Sequence, residues 1–115
     1  MAANYLGFLY DVGDGIQHRW LTTNNSTFYD KWTQVTATVD VNAATLYVNG
    51  VQAGQNTSDT FAGPSRSDPS ADFTIGAFGT SLFADANISQ VHVYNRVLSA
   101  SEVQQNYLAT KGRYQ

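Results

Sequence analysis

Apolar and polar positions alternate with period two along most of this chain. Leu6, Phe8, Tyr10 and Val12 fall on one face, which predicts a strand over residues 5–12. Gly13-Asp14-Gly15 reads as a turn, because glycine reaches positive φ without a steric penalty. Residues 16–22 supply the partner strand, with Ile16, His18 and Trp20 on one side. Residues 23–30 are polar and hold Asn24-Asn25-Ser26, which predicts a loop. The next strand is expected over 32–40, where Val35, Ala37 and Val39 alternate with Thr36 and Thr38 in a half-buried pattern.

Residues 45–48 and 51–54 flank Asn49-Gly50. A type I′ turn needs two positive φ angles, so this dipeptide between apolar alternations predicts a tight hairpin. Residues 55–70 are rich in Ser, Thr, Asp, Gly and Pro and read as a long loop, or one interrupted by a short strand near Thr60-Phe61. A strand is expected at 73–76. The longest extended segment is 81–94, with a phase shift that predicts a bulge near Asn87. Val91 and Val93 face one way there, His92 and Tyr94 the other.

The period then changes. Ser99 followed by Glu102 is a capping box, and Leu98 before the cap can pack on Val103 as a hydrophobic staple. Val103, Tyr107 and Leu108 form one apolar stripe, and Gly112 is placed to stop the helix. A helix this short is not stable alone, so it must dock on a sheet.

Composition narrows the class. The 115 residues have room for one domain, residues 1–115. Cysteine is absent, which excludes disulfides, thiolate metal sites and thiol nucleophiles. Net charge is −3 with six Lys and Arg in all, too few for a phosphate-neutralising face, so neither nucleic acid nor an anionic membrane is an expected partner. No apolar run approaches the roughly 20 residues of a membrane span, and no signal peptide is visible at Met1-Ala2-Ala3-Asn4.

The blocks Trp32-x-x-Val35-Thr36-x-Thr38-x-Asp40, Thr45-Leu46-Tyr47-Val48-Asn49-Gly50, Phe73-x-Ile75-Gly76 and Ile88-Ser89-Gln90-Val91-x-Val93-Tyr94-Asn95-Arg96-x-Leu98-Ser99 occur in that order. Together they resemble the laminin-G-like, concanavalin A-like lectin/glucanase superfamily over about residues 32–107. The resemblance implies an all-β, antiparallel two-sheet jelly-roll sandwich with one short C-terminal helix. Domains of that kind usually carry more strands before the Trp32 motif than this chain supplies, so N-terminal strands are expected to be missing or supplied by a neighbour. The run 106–114 resembles the ends of such domains in bacteriophage structural proteins, which makes a virion component an expectation.

The candidate chemistry is thin. Glycoside hydrolysis needs two carboxyls flanking the scissile bond, and the single Glu, Glu102, is accounted for by the capping box. Nothing near His18 or His92 reads as a nucleophile elbow. Calcium wants six to eight oxygens, and Asp11, Asp14, Asp85 and Asn87 are the candidate donors if the fold joins their segments. A sugar would stack on loop aromatics with amide partners, for which Phe28, Tyr29, Phe61, Asn24 and Asn25 are the candidates; Tyr47 is a weaker one, because strand aromatics are more often core. Arg96 is placed to anchor the strand-to-helix corner. The expectation is a non-enzymatic binding or structural module that is virion-borne or extracellular. It would contact other subunits of a larger assembly and form oligomers. The alternative is a carbohydrate-binding lectin-like module, calcium-assisted or not.

Overall fold

The computed structural model describes residues 7–11, 17–21, 30–58, 74–78 and 82–114. Strand β1 (Gly7–Asp11) pairs antiparallel with β2 (Gln17–Leu21), the hairpin that the alternation predicts, in the register Gly7↔Leu21 to Asp11↔Gln17. Strands β3 (Val35–Val39), β4 (Ala44–Val48) and β5 (Val51–Asn56) form an antiparallel sheet in that order. Two short strands, β6 (Ala77–Phe78) and β7 (Leu82–Phe83), pair with each other, and helix α1 (Ala100–Thr110) ends in a 3-10 turn at Lys111–Arg113.

The core centres on β4. Ala44, Thr45, Leu46 and Tyr47 are all buried, although successive residues point to opposite faces. A strand buried on both sides has cover on both sides. Tyr47 packs in one cluster with Leu98 and Val103, so the staple and the helix stripe close on the sheet as the sequence predicts. The buried Thr45 hydroxyl is satisfied by Gln55 directly across the ladder, whose Nε2 donates to Oγ1 at 3.1 Å. A register shift between Leu46 and Tyr47 places a bulge in the β4–β5 ladder.

Turn chemistry sets the connections. Asn49 and Gly50 have φ of 51° and 78°, the paired left-handed conformations of the expected I′ hairpin. The Asn49 N–H donates to the Gln34 carbonyl at 2.8 Å, and its Oδ1 accepts from the Gln34 N–H at 2.9 Å. The hairpin tip is thus clipped to the residue that leads into β3. Between β3 and β4, Asp40 Oδ1 accepts from the N–H groups of Asn42 and Ala43, an Asx turn.

Several expectations are corrected. The strand predicted over 32–40 is limited to Val35–Val39, and its alternation does not separate a dry face from a wet one: Val35 is exposed and 36–39 are all half-buried. Trp32, the first residue of the block that carries the resemblance, is 50% exposed. Residues 74–76 bend instead of forming a strand, because Gly76 at φ 75° turns the chain, and the strand follows at Ala77–Phe78. Of the long strand expected over 81–94, the described residues form Leu82–Phe83; the Ala84 N–H still bonds the Gly76 carbonyl, and beyond it residues 85–94 join no ladder among the described residues. Gly112 does not terminate α1, since the cap is Lys111 in a right-handed helical conformation. Leu108 is half exposed, so the buried stripe reduces to Val103 with Tyr107 beside it.

Candidate functional site

Three features of the described residues bear on function: an ion-paired corner, a cleft beside it, and an open extended segment. The corner begins with Ser99, which caps α1 by accepting from the Glu102 N–H, while Glu102 Oε2 accepts from the Ser99 N–H at 2.8 Å. Arg96 reaches the same carboxylate as a two-pronged donor, Nη1 to Oε2 at 3.0 Å and Nη2 to Oε1 at 2.8 Å. Planar guanidinium and planar carboxylate match in that geometry. The Arg96 bonds, and after them the Ser99 backbone bond, hold the Glu102 pKa down at about 2. This fixed anion cannot serve as a general acid near neutral pH. Arg96 therefore anchors the corner, as its position in the sequence predicts.

The cleft, about 260 Å³, lies between the Asn49-Gly50 tip and α1 and is lined by Tyr47, Gly50, Val51, Gln52, Ser101 and Gln104 among others. Its lining has no charged side chain, so it offers neither a nucleophile with a base nor a paired acid and base.

The extended segment, 84–98, is a larger feature. Ile88, Val91, Val93, Tyr94 and Val97 are each more than 40% exposed, and Val93 reaches 77%. The His92 and Tyr94 rings stack at 6.4 Å and 15°, the spacing of alternate residues on one face of an extended chain. Besides the Arg96–Glu102 pair, the segment is held by Ser89 Oγ with the Tyr114 hydroxyl at 2.9 Å, and by Asn106 Nδ2 donating to the Tyr94 hydroxyl at 3.4 Å. Tyr114 also packs on Trp32 with ring centroids 5.2 Å apart.

The predicted ligand residues separate into two groups. Asn24, Asn25, Phe28, Tyr29, Phe61 and Asp14 lie outside the described residues. Asp11 ends β1, and Asp85 and Asn87 lie two residues apart in the exposed segment. Among the described residues no three His, Cys, Asp or Glu side chains gather as metal ligands would. Tyr47 is 6% exposed and belongs to the core, not to a sugar platform. Sequence reasoning missed the exposed Trp32 ring packed on the half-buried Tyr114, and the exposure of apolar residues from Ile88 to Val97. The signal was present in the latter: Ile88 and Tyr94 fall on the face opposite Val91 and Val93, so both faces carry apolar residues. No described helix is long and apolar enough to cross a membrane.

No curated protein sequence matches this chain significantly. Among solved structures, the 2.1 Å crystal structure of residues 221–444 of an S-layer domain-containing protein from Clostridium thermocellum is similar, with a TM-score of 0.54 at 18% identity. The match covers 79% of this chain and 45% of that one, so this chain spans less than half the length of its structural neighbour. The sequence model of the laminin G family, in the concanavalin A-like lectin/glucanase superfamily, matches residues 2–104. The chain belongs to that family.

Proposed function

We propose that this chain is a non-catalytic contact module, a structural component of a larger cell-surface or virion assembly, in which two sheets stack as a jelly-roll. The single observation that carries the reading is the run of exposed apolar side chains along 84–98, beside a corner whose only glutamate is locked in an ion pair. Large contiguous exposed apolar surface marks an interaction site or a binding groove. Burial of Leu46 and Ala44, on the face of β4 opposite Tyr47, supports a second layer. The family is one of binding modules, and the S-layer title of the structural neighbour supports a surface setting.

Carbohydrate binding is the second reading, favoured by the half-exposed Trp32 ring against Tyr114. A glycan array probed with the labelled chain separates the two. The assembly reading expects no sugar bound above background and no change in melting temperature between calcium and chelator. Binding of a defined sugar, lost in Phe28→Ala and Tyr29→Ala, would replace it with the lectin reading.

A further inference from the structure

We infer that Asn49 is an intramolecular deamidation site, held closed by the docking of α1 on the hairpin tip. The site stands apart from the function proposed above. Asn49-Gly50 is the sole Asn-Gly pair in the chain. Asparagine is a thermolabile residue, and a glycine after it leaves the next backbone nitrogen without a side chain to shield it. Once hydroxide removes its proton, the Gly50 nitrogen attacks Asn49 Cγ. The N–Cγ bond forms, the side-chain amide leaves as ammonia, and a five-membered succinimide remains. Water then opens the ring at either carbonyl and gives aspartate or isoaspartate. One water is consumed for each ammonia released, and no redox partner is involved.

The folded tip opposes ring closure. Asn49 Oδ1 is bound to the Gln34 N–H at 2.9 Å, and the Asn49 N–H to the Gln34 carbonyl at 2.8 Å. Bringing Cγ onto the Gly50 nitrogen breaks the first of these bonds. It also turns the peptide about the Asn49 Cα–C bond and so unmakes the I′ turn, whose φ angles are 51° and 78°. Gly50 is carried along by that rotation and has no room for it. It is buried, and a Cβ on it would lie 3.0 Å from Tyr107 Cβ and 3.2 Å from Gln104 Cα. Both neighbours belong to α1, so the helix is the element that must lift. A helix of 11 residues depends on its seat, and this one is seated by Leu98 and Val103 against Tyr47. Local opening there exposes the tip without unfolding the sheet. Isoaspartate lengthens the backbone by one carbon at the tip, so the turn no longer fits under α1 and the opening becomes permanent.

Trypsin releases Asn49 within residues 32–66, so the mass gain of amide-to-acid exchange can be followed in that peptide while the full chain is incubated in mildly alkaline buffer. Conversion should be fast in the urea-unfolded chain and many-fold slower in the native one. Ser99→Ala weakens the cap of α1 without touching the tip. It should speed conversion about five-fold, the factor by which the loss of a typical cap raises the open population. Gly112→Ala, with open space around it, should match the native rate. Equal rates in the native and unfolded chains overturn the inference, as does a Ser99→Ala rate no higher than that of the native chain or of Gly112→Ala. A native rate that rises with urea as steeply as global stability falls also overturns it, because the gate is then unfolding of the whole chain and not undocking of α1.

Discussion

The hairpin-and-helix corner and the 84–97 segment that leads into its helix differ in almost every physical respect. In the corner, Leu98 and Val103 are 5% and 1% exposed, the turn is clipped by two hydrogen bonds, and the cap, staple and ion pair all act on one helix end. From Ile88 to Val97, apolar residues of similar size are 44–77% exposed, and among the described residues the backbone there joins no sheet. Both carry Val and Tyr side chains in sequence. What separates them is whether the chain supplies a partner surface, and that difference can be measured by substitution.

The largest effect is expected on the buried side. Leu46→Ala empties a site that is 1% exposed at the centre of the sheet, and should cost about 2–5 kcal/mol of unfolding free energy in a urea titration. A loss under 1 kcal/mol would show that the sheet does not hold the fold. Gly50→Ala comes next. A Cβ there would lie 3.0 Å from Tyr107 Cβ and 3.2 Å from Gln104 Cα, on a residue with φ of 78°. Left-handed strain and overpacking together predict a loss of about 2–4 kcal/mol, whereas Gly112→Ala, with open space around it, should be neutral or slightly stabilising.

The helix corner should respond more weakly. Ser99→Ala removes the cap and should cost about 1 kcal/mol, read as a lower urea midpoint. Acid provides a separate probe. The Glu102 pKa is depressed from 4.5 to about 2, so its contribution to stability is complete above about pH 4.5 and is lost as pH falls toward 2. Glu102→Gln should flatten that part of the melting-temperature profile, and added salt should do so in the native chain, because the pair is exposed. A profile unchanged by Glu102→Gln would mean that the pair does not stabilise the corner.

These contrasts follow what could be read in the sequence. Asn49-Gly50, Ser99-x-x-Glu102 and the Leu98–Val103 staple specify structure through neighbours within four residues, and each formed as its pattern predicts. Strand pairing between distant segments is set by partners that alternation does not name. Val91 and Val93 declare a buried face without saying what buries it, and Trp32 has the composition of a core residue while standing half exposed. The candidate site was less legible still. Aromatics and amides in polar loops mark ligand chemistry only by type, and of Phe28, Tyr29, Phe61, Asn24 and Asn25 none falls among the described residues.

The smallest stability effect is the most diagnostic for the open segment. Val93 is 77% exposed, so Val93→Ser removes little buried area, and the isolated chain should change by no more than about 0.5 kcal/mol. The urea midpoints of Val93→Ser and of the native chain should therefore nearly coincide. If the variant lost about 1 kcal/mol or more, Val93 would be covered within its own chain, and the segment would belong with the corner after all.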